Sequence, residues 1–326
     1  MTSTASPVRV RQHSPAYWRV TFDNPPVNLH DAEIIAGLTA LVDRLESDAQ
    51  VQVVVFDSAN PDFYMAHIDL VRRSQVSQEP GPTGLPPWPD ILTRLEHAPY
   101  ITVGSVRGRA RGVGSEFLLA LDIRFASREK AIFCQPEIGF GFFPGGGGLE
   151  RLPLVTGRSR AMEIILGGED FDAETAERYG WINRSVPDTE LDAFTDRFAT
   201  RVASFDRLAT TAAKEILNTR SHVAAGSDQA ATNARFLEAF ARPEVKARIQ
   251  RFMEKGGQQD GDRGFLRRAG RGRGLRGPDR GQPACRAPSG QPPVRRDDHG
   301  RGQAGTAGGY LRLSPVGNAP SAPRIK

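Results

Sequence analysis

The chain has 326 residues, of which 39% are hydrophobic and 25% charged, and its formal net charge is +5. Two cysteines, Cys134 and Cys285, are too few for a disulfide framework, and the six histidines lack the spacing of metal ligands, so no metal is expected. The N-terminal sequence lacks the apolar region of a secretory signal and no segment is long and apolar enough to cross a bilayer, so we expect a cytoplasmic protein without a membrane span.

Short strands and helices alternate in the predicted first part of the chain. The segment "VRVRQHSPAYWRVTFD" alternates apolar and polar residues and predicts two strands joined by a turn, and "NPPVN" ends the second strand. From Asp31, a predicted N-cap, apolar residues recur at helical spacing between Ile34 and Leu45. The apolar run "VQVVVFDS" then predicts a buried strand, and "ANPDFYMAHIDL" predicts a loop.

The middle of the chain is predicted to hold a surface loop and then further strands and helices. Residues 74–90 are rich in proline and glycine and predict a mobile loop. A helix around "DILTRLEHA" leads to the strand "YITVGSV", a glycine turn, a helix that begins near Ser115, and the short strands "IRFAS" and "AIFCQ". From Leu152 onward the pattern is mostly helical. Repeated units of two strands and a helix, followed by a helical end, predict an α/β core with an α-helical C-terminal module.

The last 70 residues differ from the rest in charge and composition. Residues 257–326 hold 14 basic and 5 acidic side chains, and about a third of them are glycine or proline without a period, which predicts disorder. The arginines of "RRAGRGRGLRGPDRG" could contact RNA or another polyanion. No aromatic residue interleaves the arginines between Phe265 and Tyr310, which favours an appendage without function. Translation out of frame from a GC-rich gene is a further hypothesis.

Two glutamates are the strongest candidates for catalysis. Glu116 follows the glycine-punctuated run "GRARGVGS", and Glu137 lies in "CQPEIGFGFFPGGGG", before a glycine cluster. Both lie beside stretches that present free backbone amides. Two carboxylates near oriented N–H donors predict an acid/base site for carbonyl chemistry. The glycine cluster at 145–148 lacks the Lys-Ser/Thr of a phosphate-binding loop.

Four blocks of sequence together resemble the crotonase superfamily, which has the enoyl-CoA hydratase/isomerase fold. They are "NPPVN" with the following helix, "VQVVVFDSANPDFYMAHIDL", "VRGRARGVGSEFLLALDIRFAS" and "AIFCQPEIGFGFFPGGGGLERLPLVTGRSRAMEIILGG". The resemblance implies a crotonase-type spiral of repeated β-β-α units in residues 1–200 and a C-terminal helical trimerisation module in residues 201–256. The tail that composition predicts to be disordered, residues 257–326, follows them. The resemblance also implies a homotrimer or dimer of trimers and a substrate carried on coenzyme A, with no metal or redox cofactor.

The resemblance also implies roles for individual residues. The stretch that begins at Ala66 matches the family's first oxyanion loop and places one backbone N–H donor on Ala66, and the glycine turn places the second donor on Val113. Glu116 matches the glutamate that activates water. Glu137 matches the glutamate that exchanges a proton with the α-carbon of the substrate.

The same loops are expected to bind the substrate. The expected substrate-binding residues are Ala66, His67, Ile68, Asp69, Leu70 and Gly112. The family usually has glycine at the positions of His67 and Val113, so the larger side chains imply tighter packing around the carbonyl or a different backbone path. Val113 could narrow the acyl pocket. His67 could contact the substrate or the coenzyme A pyrophosphate, although a histidine that lines the loop without chemistry is favoured.

These matches predict a hydro-lyase that adds water reversibly to 2-enoyl-CoA thioesters. The alternative within the superfamily is an enoyl-CoA isomerase or another acyl-CoA enzyme. From a different class, the alternative is a non-catalytic scaffold or RNA-binding homologue that uses the basic tail. The presence of both Glu116 and Glu137 favours the enzyme, and contact with nucleic acid is expected, if at all, only through the tail.

Overall fold

A computed structural model describes residues 6–221 and 226–258, and the strands within these ranges form two sheets. The larger sheet contains, in spatial order, β1 (Val8–Gln12), β2 (Tyr17–Phe22), β3 (Val53–Ser58), β5 (Ile101–Val106), β7 (Ile123–Ser127) and β10 (Arg184–Val186). The smaller sheet contains, in spatial order, β4 (Phe63–Met65), β6 (Arg109–Arg111), β8 (Ile132–Cys134) and β9 (Phe171–Asp172). Neighbouring strands are parallel except in the β1–β2 and β8–β9 pairs.

The helices of the described residues connect these strands and form most of the C-terminal part. They are α1 (Ala32–Ser47), α2 (Pro87–His97), α3 (Val113–Leu119), α4 (Glu137–Phe140), α5 (Gly148–Thr156), α6 (Arg158–Gly167), α7 (Ala173–Tyr179), α8 (Leu191–Ala203), α9 (Arg207–Arg220), α10 (Gly226–Phe240) and α11 (Pro243–Glu254). Two short 3-10 helices span Arg73–Gln75 and Asp188–Glu190. None of the helices in this part of the chain is long and apolar enough to cross a membrane.

Each turn of the fold sends the chain from the larger sheet to the smaller one. β3 is followed by β4, β5 by β6, and β7 by β8, and a helix follows each pair. This arrangement confirms the predicted fold class of repeated β-β-α units with an α-helical C-terminal end. Because β4, β6 and β8 are parallel neighbours, the segments that follow them emerge at one edge of the smaller sheet. Carboxyl ends of parallel strands are the usual place for a ligand site.

The predicted helix after Asp31 and the predicted buried strand β3 are both confirmed. Asp31 caps α1, since its carboxylate accepts the N–H of Ile34 at 2.9 Å, and α1 turns its apolar face to the core. In β3, Val54 and Phe56 pack into the main core, whereas Val53 and Val55 pack into a second core that includes part of α8. The continuous apolar run is therefore explained by burial on both faces of the sheet.

Several predicted boundaries were wrong because short elements depend on their neighbours. The predicted loop "ANPDFYMAHIDL" contains β4, and the predicted glycine turn contains β6, each only three residues long. These strands exist because they pair with each other and with β8. The predicted irregular segment 74–90 includes the start of α2 at Pro87, since proline is tolerated in the first turn of a helix. α3 begins at Val113, two residues before the predicted Ser115.

Two features of the structure bear on the predicted division of the chain into a core, a C-terminal module and a tail. Position 200 lies inside α8, so the expected boundary between core and C-terminal module falls within a continuous helix. Residues 259–326, almost all of the predicted disordered tail, lie outside the described residues. Gln258 at its start is described, and it accepts the N–H of Leu70 at 2.7 Å and donates to Asp69 at 3.1 Å. The first residues of that segment therefore hold a loop that follows β4.

Candidate active site

A pocket lies where the segments after β4, β6 and β8 meet. Ile68 follows β4, Val113 and Glu116 follow β6, and Glu137 follows β8, and all four line this pocket. The opposite walls come from α2, from the glycine run 145–148 and from the C-terminal helices. Residues far apart in sequence thus meet because the parallel strands of the smaller sheet end at the same edge.

Glu116 is a buried carboxylate held by two backbone amides. The side chain lies on α3, and its Oε1 atom accepts the N–H of Gly146 at 2.8 Å and of Gly148 at 2.9 Å. Burial raises the pKa of Glu116 from its ordinary value of 4.5 to about 7, although the two amide hydrogen bonds oppose that rise. A group with a pKa near neutrality can both accept and release a proton under physiological conditions.

The glycine run that binds Glu116 is fixed from the C-terminal helices. Asn233 on α10 donates its side-chain N–H to the carbonyl of Gly145 at 2.9 Å. Gln229, one turn earlier on α10, donates to the carbonyl of Gly146 at 3.2 Å. A Cβ atom on Gly146 would lie 2.5 Å from Oε2 of Glu116, so only glycine allows the backbone to approach this carboxylate so closely.

Glu137 is the second buried carboxylate, at the start of α4. Burial raises its pKa well above the ordinary value, and the nearby charge of Glu116 raises it further. With its amide nitrogen facing the carboxylate, Gln135 donates to both oxygens of Glu137, at 3.2 and 3.3 Å. A Cβ atom on Gly112 would lie 2.6 Å from Oε1 of Glu137, and the φ of Gly112 is +49°, so glycine is required there on both grounds.

The backbone amides of the pocket correct one of the two predicted oxyanion donors. The N–H of Ala66 donates to the carbonyl of Asn28 at 3.1 Å and is therefore already occupied. Two residues later, the N–H of Ile68 has no acceptor within the described part of the chain, and Ile68 lines the pocket. The N–H of Val113, the first residue of α3, likewise finds no acceptor in residues 6–221 and 226–258. The candidate donors are thus Ile68 and Val113.

Backbone pairing explains why the donor lies on Ile68. His30 donates its N–H to the carbonyl of His67 and accepts the N–H of Asp69, both at 2.9 Å. This short parallel bridge leaves the intervening amide of Ile68 turned away from His30, as alternation along an extended chain requires. The sequence shows the loop but not which of its amides is already hydrogen-bonded, so the prediction was two residues early.

The remaining predicted substrate-binding residues divide into two groups. His67 and Leu70 line the pocket, and the imidazole of His67 contacts the carbonyl of Ile68 at 2.8 Å through Nδ1. Asp69 does not line the pocket; its carboxylate accepts the N–H groups of Val71 and Arg72 and so holds the loop in shape. Ala66 and Gly112 do not line the pocket either; the N–H of Ala66 donates to the carbonyl of Asn28, and Gly112 lies against Glu137.

Sequence reasoning missed the residues that complete the walls of the pocket. They include His30, Arg73, Trp88, Phe142, Asn233, Phe236 and Phe252. Trp88 belongs to the segment that was predicted to be an irregular loop. Phe142 lies in the glycine-rich block and His30 just after "NPPVN", but neither pattern marked them as pocket residues, and the remaining four lie outside the motifs. Their contribution depends on the packing of the whole chain.

The raised pKa of Glu116 predicts a pH-dependent stability. Because the folded pKa is about 7 and the ordinary value is 4.5, the folded state binds more protons between these pH values, and the free energy of unfolding falls as pH rises through that window. Glu116→Gln keeps an acceptor for the two amides but cannot ionise. We expect its free energy of unfolding, relative to the parent chain, to increase by about 3 kcal/mol between pH 4 and pH 8.

Urea denaturation at a series of pH values measures this difference. Glu174→Gln is the matched control, because Glu174 is exposed on α7 and outside the pocket, so it removes the same chemical group without changing the buried site. A pH-independent difference for Glu116→Gln would contradict the raised pKa.

Comparison with known proteins adds independent observations. The sequence model of the family described as "Enoyl-CoA hydratase/isomerase" matches residues 14–262. The chain is 27% identical over 237 residues to the short-chain-enoyl-CoA hydratase of Clostridium acetobutylicum, an alignment that covers 72% of this chain and 90% of that relative.

Solved structures show the same likeness. A protein from Streptomyces avermitilis assigned as a candidate enoyl-CoA hydratase is 38% identical, with a TM-score of 0.77 over 83% of this chain and 99% of the other. An enoyl-CoA hydratase/isomerase from Pseudoalteromonas atlantica is 26% identical, with a TM-score of 0.67 over 76% of this chain and 97% of the other. Both alignments include nearly the whole of the compared chain.

Proposed function

Because the chain belongs to the enoyl-CoA hydratase/isomerase family, we propose that it adds water reversibly to the double bond of 2-enoyl-CoA thioesters. The observation that carries this proposal is the meeting of two buried carboxylates, Glu116 and Glu137, in one pocket with two unoccupied backbone amides. One carboxylate would suffice to shift a double bond. Addition of water requires a proton to be removed from water and another to be delivered to carbon, for which two groups are suited.

The amides of Ile68 and Val113 would bind the thioester oxygen. Protonation of the α-carbon and attack at the β-carbon both pass through a state in which negative charge develops on that oxygen. Two fixed N–H groups stabilise this charge more than they stabilise the neutral carbonyl, and so lower the barrier. Removal of one donor of this kind typically lowers turnover by about 10²–10³.

The two carboxylates would divide the proton transfers. Glu116, whose ionised form is held by the amides of Gly146 and Gly148, takes a proton from water as the water oxygen bonds to the β-carbon. Glu137, whose pKa is raised by burial, holds a proton more tightly than an exposed glutamate does and delivers it to the α-carbon. After product leaves, proton exchange with solvent restores the two starting states. The reverse sequence eliminates water.

Coenzyme A enters this proposal only as the carrier of the substrate, and no metal or redox cofactor takes part. We also propose that the protein assembles as a homotrimer or dimer of trimers in the cytoplasm, with nucleic acid contacting at most the tail. Exposed apolar side chains support self-association. They include Leu154, Val155, Leu208, Ile216 and Leu217 on α5 and α9.

A panel of acyl-CoA thioesters tests the proposed reaction. Saturated, 2-unsaturated, 3-unsaturated and 3-hydroxylated thioesters are incubated with the protein, and hydration, isomerisation and hydrolysis are measured in parallel. We expect interconversion of 2-enoyl and 3-hydroxyacyl thioesters to be faster than the other reactions by at least about tenfold. Preferential conversion of 3-enoyl to 2-enoyl thioesters would instead indicate an isomerase. Release of free coenzyme A as the main reaction would indicate a hydrolase.

A further inference from the structure

One wall of the pocket carries polar groups that the proposed reaction does not use. His30 is only 3% exposed, lines the pocket, and has no hydrogen-bond partner for either ring nitrogen within the described residues. Trp88 is 7% exposed, and its Nε1 is likewise unpartnered there. Arg73 also lines the pocket, with a buried Nε atom that contacts no acceptor in the same part of the chain. Buried polar groups normally have partners, so these point to a ligand.

These three side chains follow one another along the pocket from the reaction site. The Cβ position of Gly146 is 2.5 Å from Oε2 of Glu116 and 2.6 Å from Nε1 of Trp88, so the indole lies beside the catalytic carboxylate. The ring of His30 packs edge to face on Trp88, with centroids 4.2 Å apart. Burial lowers the pKa of His30, and the positive charge of Arg73 lowers it further. An acyl chain directed along Trp88 would reach His30 and Arg73.

Arg73 has no counterion among the residues that the structure describes, unlike its neighbour Arg72. Arg72 does not line the pocket and forms ion pairs with Asp31 and Asp69 at 2.9 and 2.8 Å. Arg73 makes no ion pair with any residue of the described ranges, and burial alone lowers its pKa. No carboxylate of the described residues offsets this shift, although Glu116 and Glu137 line the same pocket. A partly buried guanidinium without a partner is unfavourable unless a bound anion supplies one.

We propose that the acyl group of the substrate ends in a carboxylate, which Arg73 and His30 bind. The preferred substrate class is then the coenzyme A monothioester of an unsaturated dicarboxylic acid, and this inference rests on the proposed function. A guanidinium binds a carboxylate through two parallel N–H···O bonds, and the neutral imidazole of His30 adds a third donor. Trp88 supplies the apolar wall along the intervening carbons.

Matched pairs of substrates test this assignment. Each 2-enoyl-CoA that ends in a carboxylate is compared with the thioester of equal chain length that ends in a methyl group, at several lengths. We expect the parent protein to favour the carboxylate member in kcat/KM, by at least about tenfold at the best length. Arg73→Leu should lower that ratio by about 10–100-fold, because a hydrogen-bonded charge is lost, while turnover of the methyl member is retained.

Arg72→Leu is the matched control, since it removes the same charge one residue away but outside the pocket. Its ratio for the two substrates should equal that of the parent. Arg73→Lys keeps the charge without the paired donors and should give an intermediate ratio. An unchanged ratio in Arg73→Leu, or a parent that favours methyl ends at every length, would overturn the proposal.

The phosphates of coenzyme A are the other source of an anion for Arg73. Thioesters of N-acetylcysteamine lack these phosphates and distinguish the two sources. We expect the effect of Arg73→Leu on the carboxylate preference to persist with them. A loss that is equal for both members of each pair and disappears with N-acetylcysteamine thioesters would assign Arg73 to coenzyme A instead.

Equilibrium binding separates this inference from the proposed reaction. Saturated thioesters with carboxylate and methyl ends cannot be hydrated, and calorimetry gives their dissociation constants. A carboxylate preference that Arg73→Leu removes would support the binding site even if the panel showed a different reaction. Equal affinities for both ends, together with normal hydration, would overturn the inference and leave the proposed function intact.

Discussion

Glu116→Gln and Glu137→Gln are each expected to lower turnover of the 2-enoyl-CoA substrate by about a hundredfold or more. A positioned group that transfers a proton typically contributes about 10²–10⁴ to the rate, and an amide cannot carry that proton. Affinity for a saturated acyl-CoA should change only by a small factor, because the amides of Ile68 and Val113 remain. Turnover and dissociation constants for both variants provide the measurement.

The double variant and a control sharpen this result. Residues that act as a unit are not additive, so the combined substitution should reduce turnover much less than the product of the single effects. Glu174→Gln changes the same chemical group on the exposed surface of α7 and should turn over normally. A mild effect at one position only would favour an isomerase, in which a single carboxylate moves the proton. Mild effects at both positions would mean that neither carboxylate transfers a proton.

The second large effect is expected from a single methyl group at Gly146. In Gly146→Ala the new Cβ would lie 2.5 Å from Oε2 of Glu116 and 2.6 Å from Nε1 of Trp88, closer than atoms tolerate. The carboxylate must therefore move, or the glycine run that donates to it must shift. Displacement of a catalytic group by about 1 Å can lower the rate on the order of a hundredfold. We expect a loss of at least tenfold in turnover.

Gly139→Ala is the matched control for this substitution. Gly139 lies on α4, two residues after Glu137, and a Cβ atom there would have no neighbour within 4 Å. Neither glycine has a positive φ, so alanine introduces no backbone strain at either position. The Gly139 variant should keep its turnover. Equal rates in the two variants would show that Gly146 does not set the position of Glu116.

Much of the fold could be predicted because its signals are local. The face of α1 and its Asp31 cap are set by spacing within the helix, and β3 by a continuous apolar run. The strands β4, β6, β9 and β10 have at most three residues each and carry no such pattern. They form because a neighbouring strand supplies hydrogen-bond partners, which is a property of the tertiary structure.

The candidate site divides in the same way. Glu116, Glu137 and Val113 lie in motifs, and the structure brings them together in one pocket, while their roles stay predictions. The oxyanion donor was predicted on Ala66, but the N–H of Ala66 already donates to the carbonyl of Asn28. The candidate donor is therefore Ile68. Occupancy of a backbone N–H follows from packing and is not encoded in the side chains of the loop.

The polar side chains on one wall of the pocket, His30, Arg73 and Trp88, could not be recognised as a shared site from the sequence. His30 follows the "NPPVN" block, Arg73 begins a short 3-10 helix, and Trp88 lies in a proline-rich segment. Nothing in these three local sequences indicates a shared site. The fold brings them to one wall beside Glu116. Only this arrangement shows that Arg73 has no ion-pair partner among the described residues.

Labelled water shows whether the oxygen that is added to the substrate comes from water. The hydration arm of the thioester panel is run in H2(18)O with the best 2-enoyl-CoA substrate, and the product is analysed by mass spectrometry. We expect a 3-hydroxyacyl-CoA that carries one labelled oxygen at its β-carbon. The Glu116→Gln variant should form this product at least about a hundredfold more slowly than the parent protein does. A product without the label, or the same labelled product formed equally fast by Glu116→Gln, would contradict the proposed function.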